Sequence, residues 1–312
     1  VSGLRVAVIG GGQSCEHDVS LASAAAAAGA LAEAGHDVVP LTIGADGTWL
    51  DAHGHPVGLA GAVELLRTCD VALPVLHGPR GEDGTLAALC QLAQVPWVGS
   101  GVGAGALAMD KWATKLVAGA LGIATAPGVL LTTPAHTWTH PVVVKPVAAG
   151  SSHGVTLVER AADLPVALAA AFAVDDRVLV EDVVVGREVD VSVLGRPDGV
   201  RLVSPALEIG GGGIFDLATK YDGSADLRVP APLTAAEQVA LEAAALAMYD
   251  ALGCGGVARV DFFLTEAGVV LNEVNTTPGF TAASQVPLMW AAAGTSYVEL
   301  VDLLVRDAAP AR

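Results

Sequence analysis

Two stretches of the sequence, Arg259-Val260-Asp261 and Glu273-Val274-Asn275, place a guanidinium, two carboxylates and an amide at alternate positions. Alternate residues of a β-strand share a face. If the stretches pair across a turn at Ala267-Gly268, all four groups enter one cleft. Hard oxygen donors of this kind suit Mg²⁺, which keeps several waters and bridges to substrate phosphates. The chemistry such a set could serve is the metal-assisted binding of a phosphate. The plainer reading of the same residues is the polar face of an antiparallel hairpin with a cross-strand ion pair.

Base usage sharpens this. The chain has 12 Arg but only 4 Lys, at positions 111, 115, 145 and 220, and its only two Asn are Asn272 and Asn275. Lys holds phosphate as a compact point charge, whereas Arg forms a planar fork. Lys145 ends a Val-Val-Val run and opens the loop Pro146-Val147-Ala148-Ala149-Gly150-Ser151-Ser152-His153-Gly154. A cation there requires an anionic partner, and the small residues let backbone N–H groups approach a triphosphate and let the loop close. A surface Lys before a Gly/Ser turn is the alternative. His77-Gly78-Pro79-Arg80-Gly81-Glu82-Asp83-Gly84 follows the apolar run 71–76, and loops at strand C-termini of parallel sheets are where ligands bind. Gly10-Gly11-Gly12-Gln13-Ser14-Cys15-Glu16-His17 also follows an apolar run and opens a helix, whose free N–H groups and dipole suit an anion. A tight capped turn explains it equally well. Cys15 stands where a GxGxxG dinucleotide motif needs its third glycine, so a Rossmann dehydrogenase is disfavoured.

The elements that must carry these groups follow a βαβ rhythm in the first third: strands at 5–9, 37–41 and 71–76, and helices at 19–34 and 85–93. A mostly parallel sheet is expected there. The glycine-rich texture of 99–105 suggests a boundary. Beyond it come a helix bearing Lys111 and Lys115, strands at 141–145, 155–158 and 178–181, and a helix at 161–172. The last part carries strands at 188–194, 259–264 and 269–274 and helices at 235–252 and 297–306. The expected fold class is α/β and α+β, with parts at 1–99, 100–182 and 183–312.

Composition bounds the partners. A net charge of −17 and a pI near 4.6 argue against a long nucleic acid, which needs clustered cations. Mean hydropathy is +0.56, yet no apolar run reaches the ~18 residues of a membrane span. The first apolar run resembles a signal peptide but is too short and ends in three glycines. A buried first strand is expected. Cys15, Cys69, Cys90 and Cys254 form no CxxC pair, which favours a reducing compartment.

Taken in order, GGQSCEHDVS, HGPRGEDG, MDKWATK, VKPVAAGSSHGV, Lys220-Tyr221, GVARVDFF and NEVNTTPGFT resemble the D-alanine:D-alanine ligases of the ATP-grasp superfamily over nearly the whole chain. The resemblance implies a three-domain fold with ATP between the central and C-terminal parts. It also implies a cytoplasmic enzyme of peptidoglycan precursor synthesis that uses ATP and Mg²⁺, with Mn²⁺ as a substitute, and forms a homodimer. Lys111, Lys145 and Lys220 look like the lysines on the ATP phosphates, leaving Lys115 a structural role. Glu181 resembles the adenine contact and Glu188 the ribose contact, while Asp261, Glu273 and Asn275 resemble the Mg²⁺ ligands. Glu16 resembles the anchor of the first amino acid's ammonium, with Ser151 and Tyr221 completing its hydrogen-bonded triad and His77 nearby. Arg259 and the Gly279 N–H are similar to the oxyanion donors, and Ser284 to the group that binds the second carboxylate.

Two positions depart from the family pattern. Gln285 stands where relatives that make D-alanyl-D-alanine carry Leu or Met, and the segment Gly210–Gly213 before Phe215 is shorter and richer in glycine than usual. Tyr221 favours an amine as second nucleophile, since D-alanyl-D-lactate ligases carry His there. The readings therefore stand as a ligase of two D-alanines, a relative using D-serine or another amine second, or a nucleotide-binding module without catalysis.

Overall fold

The computed structural model describes residues 3–210 and 226–309. Lys220, Tyr221, Phe215 and the three glycines after Gly210 lie outside the described residues.

The chain begins with a four-stranded sheet. β1 (Arg5–Gly11) is sandwiched between β2 (Asp37–Ile43) and β4 (Val71–Pro74), both parallel to it, and β3 (Trp49–Leu50) adds antiparallel to β2. Because β1 has a neighbour on each side, the crevice beyond its C-terminal end is the switch point at which open α/β sheets bind ligands. Both motif loops, 10–17 and 77–84, start at that end. Val6, Ala7, Val8 and Ile9 are almost fully buried, and burial of each larger side chain contributes about 1.5–3 kcal/mol. The helices of this region are α1 (His17–Glu33), α2 (Gly58–Leu66) and α3 (Thr85–Ala93).

The glycine-rich stretch 99–105 leads into a helix, α4 (Val102–Met109), that its composition did not suggest. Its glycines permit close packing: a Cβ on Gly105 would stand 2.6 Å from the Gly84 backbone nitrogen. α5 (Lys111–Ala120) follows directly, capped by Asp110, whose side chain accepts from the Ala113 N–H. The next sheet is antiparallel, in the order β6 (Gly128–Leu131), β9 (Val178–Asp182), β7 (Val142–Pro146), β8 (Thr156–Val158). The helix expected over 161–172 splits into a 3₁₀ turn, Ala161–Asp163, and α6 (Leu164–Phe172). Pro165 sits in the first turn of α6, where its missing N–H costs nothing, and it favours a start there.

The last sheet is built on β10 (Arg187–Gly195), β14 (Val257–Thr265) and β15 (Gly268–Asn275). β12 (Leu207–Gly210) and β13 (Asp226–Arg228) extend one edge, β5 (Ala124–Thr125) the other, and β11 (Arg201–Val203) pairs with β10. α7 (Ala235–Leu252), started by a Thr234/Glu237 capping box, covers one face through Leu241, Ala245 and Met248. α8 (Gln285–Ala292) and α9 (Tyr297–Ala308) close the chain. The two helices share one apolar cluster with β1 and α1: Val286, Trp290, Leu300 and Leu304 join Val6, Val8 and Leu31. This shared core ties the C-terminal helices to the first sheet.

Candidate active site

The hairpin is formed as the alternation requires. β14 and β15 pair antiparallel with Arg259 opposite Asn275 and Asp261 opposite Glu273, and a bulge between Asp261 and Phe262 leaves Asn272 out of register. Bulges of this kind re-aim side chains beside active sites. Arg259 grips Asp261 with both forks, Nε to Oδ1 at 2.7 Å and NH2 to Oδ2 at 2.6 Å, and the Asn275 amide donates to Asp261 Oδ2 at 2.9 Å. Burial works against the charge on Arg259, but Asp261, then Asp190 and Glu273, raise its pKa and hold it protonated. Lys111 Nζ reaches Glu273 Oε2 at 3.3 Å and the Ala149 carbonyl at 2.7 Å. One lysine thus touches both the hairpin and the Gly/Ser loop.

Two carboxylates directly opposite each other, with an amide oxygen on the same face, form a hard donor set that fits Mg²⁺. Asp261 is now taken by Arg259, and Glu273 by Lys111.

A second charged group lies at the β9 end. Glu181 is buried with both oxygens engaged, Oε1 by Lys115 and Oε2 by Lys145, each at 2.5 Å. Burial would raise its pKa, but the two lysines more than offset this and lower it. Lys115 also donates to the Ala126 carbonyl at 2.5 Å. Lys115 therefore belongs to this ionic cluster, beyond the purely structural role expected for it. The signal was available: Lys111 and Lys115 are four apart on one helix, so they share a face. Glu188 stands on β10, two residues before Asp190.

The loops of the first sheet meet the Gly/Ser loop. Glu16, 6 % exposed, stands at the N-cap position of α1, and its carboxylate accepts a hydrogen bond from the Ser151 hydroxyl. The contact demands glycine beside it: a Cβ on Gly150 would lie 2.3 Å from Glu16 Oε2. Ser151 and Ser152 take φ of 46° and 55°, conformations uncommon for residues with a side chain. His77 is buried, with Nδ1 2.8 Å from the Thr277 carbonyl and Nε2 3.2 Å from Ser23 Oγ. A carbonyl only accepts, so Nδ1 carries the proton and Nε2 accepts from Ser23. Ser23 in turn accepts from the Phe280 N–H at 3.2 Å. Burial lowers the His77 pKa, against a raising influence from Glu16. A neutral histidine thus struts the first sheet to the 276–284 loop. Glu82, whose carbonyl accepts from Thr276, has its carboxyl pushed up to about 8 by burial, with Glu16 and Glu273 adding and Lys111 opposing.

Ser284 is the N-cap of α8, with its hydroxyl 3.0 Å from the Thr281 N–H and 2.9 Å from Thr281 Oγ1. Gly279 lies beside it, where a Cβ would be 3.4 Å from Ser284 Oγ. Gln285 donates to Asp190 Oδ2 at 2.9 Å, and Arg259 Nε lies 3.6 Å from the same oxygen. The motifs did not single out Asp190. The alternation Glu188-x-Asp190-x-Ser192 marks a polar face on an otherwise Val-rich strand and could have found it.

The chain is similar to known proteins along nearly its whole length. Residues 127–306 match the model of the D-ala D-ala ligase C-terminus, and residues 5–62 and 52–100 match that of the N-terminus. The chain is 39% identical to the D-alanine--D-alanine ligase of Mycobacterium avium (strain 104), over 98% of this chain and 96% of that protein. It is 40% identical to that of Mycolicibacterium smegmatis, over 99% and 96%. Among solved structures it is similar to the VanG D-Ala:D-Ser ligase from Enterococcus faecalis, with TM-score 0.84 and 33% identity over 98% of this chain and 99% of that one. It is also similar to the D-alanine-D-alanine ligase from Coxiella burnetii, with TM-score 0.83 and 29% identity over 99% and 94%. Matched across both halves and nearly end to end, the chain belongs to the D-alanine–D-alanine ligase family and has its ATP-grasp fold.

Proposed function

We propose that the chain joins two molecules of D-alanine at the expense of ATP, through a D-alanyl phosphate, for peptidoglycan precursor synthesis. The observation that carries this reading is the junction at Lys111, which links the Asp261–Glu273 hairpin to the loop whose Ser151 docks on Glu16. It joins a phosphate-handling group to a carboxylate able to hold an ammonium.

In this reading Glu16 holds the ammonium of the first D-alanine, within the triad with Ser151 and Tyr221, and His77 walls that subsite. Lys111, Lys145 and Lys220 neutralise the ATP phosphates, Glu181 contacts adenine and Glu188 the ribose. Asp261, Glu273 and Asn275 would hold Mg²⁺, which supplies charge neutralisation at the transferring phosphoryl group when bound. The first carboxylate attacks the γ-phosphorus and ADP leaves. The second amine attacks the acyl carbon and phosphate departs. Arg259 and the Gly279 N–H stabilise the oxyanion that develops between these two events. Ser284 binds the second carboxylate, and the loop over Ser151 keeps water from the acyl phosphate. The parts 1–99, 100–182 and 183–312 fit this division of labour.

A second reading, with D-serine in the second position, is favoured by the hydrogen bond between Gln285 and Asp190, which makes that wall polar where an apolar one would suit alanine. We place the enzyme in the cytoplasm as a homodimer; among the described residues no single helix is long and apolar enough to cross a membrane. Phosphate release with ATP, Mg²⁺ and D-alanine tests the proposal. Release that depends on D-alanine and yields the dipeptide is expected. Nucleotide binding without D-alanine-dependent release would leave a binding module.

A further inference from the structure

Asp190 lies in the middle of β10, nearly inaccessible at 1 % exposure, on the strand face that also carries Glu188 and Ser192. In the sheet it pairs with Asp261. Its Oδ2 accepts from Gln285 Nε2 at 2.9 Å with Arg259 Nε 3.6 Å away. Two residues along, Ser192 Oγ accepts from Trp290 Nε1 at 3.0 Å. Alternate residues of one strand therefore hold two points on α8, its first residue and its buried indole.

The partner decides which way round the Gln285 amide stands. The Asp190 oxygen that faces Gln285 also lies 3.6 Å from Arg259 Nε, a group that only donates, so this oxygen serves as an acceptor. The amide nitrogen must face Asp190, and the amide oxygen is then the atom left for a ligand. An amide free to turn would present either a donor or an acceptor. We propose that Asp190 is a positioning residue that locks Gln285 as a hydrogen-bond acceptor, so that the second subsite recognises an amino acid with a hydroxyl donor on its side chain, alongside D-alanine. This rests on the reading above that Gln285 faces the second amino acid.

The test offers the whole enzyme ATP, Mg²⁺, D-alanine and D-serine together and measures the ratio of D-alanyl-D-serine to D-alanyl-D-alanine by mass. Asp190→Asn, nearly isosteric, can donate as well as accept and so releases the amide; it should lower the ratio by about fivefold, the size of one neutral hydrogen bond. Gln285→Met, which probes the same contact from the helix side, should lower it at least as far. In the Gln285→Met background, Asp190→Asn should not move the ratio again, although turnover with both substrates can fall together through Arg259. Thermal unfolding and nucleotide affinity near those of the wild type establish that the variants are folded. An unchanged ratio in Asp190→Asn overturns the proposal, as does an equal drop in both backgrounds. If the wild type makes no dipeptide even from D-alanine alone, the ligase reading itself has failed. Dipeptide from D-alanine with an insensitive ratio fails only the role of Asp190.

Discussion

The two sides of the site are built by different means. On the hairpin side, Asp261, Glu273, Arg259 and Asn275 are aimed by strand register, each set by the backbone ladder of β14 and β15. On the loop side, Glu16, His77 and Ser151 are aimed by turns, close glycine contacts and side-chain bonds to distant carbonyls such as Thr277. Register is a property of the whole sheet and resists local change, whereas a loop can be displaced by one methyl group. The hairpin side should therefore govern the chemical step, and the loop side the capture of the amino acid and closure.

The sharpest way to break this contrast is on the hairpin. Glu273→Gln replaces an anionic oxygen donor with a neutral amide and removes the charge that pairs with Lys111; kcat should fall on the order of a thousandfold with little change in the KM for D-alanine. A change confined to KM would erase the distinction. On the loop side, Gly150→Ala drives a methyl group into Glu16, and such displacements cost roughly a hundredfold. The loss should appear in kcat/KM for D-alanine, with ATP affinity nearly kept, as read by steady-state kinetics and nucleotide titration. Lys115→Ala leaves Glu181 to Lys145 alone; the Kd for ATP should rise by roughly tenfold, one lost charged hydrogen bond.

The smallest effect concerns stability. In the ligand-free protein the Glu82 carboxyl is pushed up to about 8 from an ordinary value near 4.5. The folded state thus favours the neutral form. Its contribution is intact below 4.5 and is lost progressively as pH rises toward about 8. Glu82→Gln should gain Tm relative to the wild type between pH 5 and pH 8 in a scanning calorimeter. A constant difference across that range would show that Glu82 does not titrate there.

The same contrast explains what could be read from the sequence. The hairpin was legible because a two-residue period and a short turn leave one pairing that brings its polar groups together. Helix α7 was legible to the residue, since Thr234 and Glu237 spell a capping box and Gly253 ends the helix at φ 71°. Helix α4 was missed because glycine reads as a breaker, while Gly105 is there to let the helix meet Gly84. The short edge strands β3, β5 and β11 had too few residues to show a period. In the site, scarcity of Lys drew attention to 111 and 145 but hid the clamp, since no spacing relates Lys115 and Lys145 to Glu181; the pairing of β7 with β9 brings Lys145 there, and the packing of α5 brings Lys115. Asp190 escaped for a similar reason, because its partners are 69 and 95 residues away.

The central step of the proposed reaction is the attack of the first D-alanine carboxylate on ATP. With that carboxylate labelled by ¹⁸O, the phosphate released during dipeptide formation should carry the label, since the acyl–oxygen bond breaks when the second amine attacks. Unlabelled phosphate accompanying dipeptide would mean that no acyl phosphate forms, and would contradict the roles given to both sides of the site.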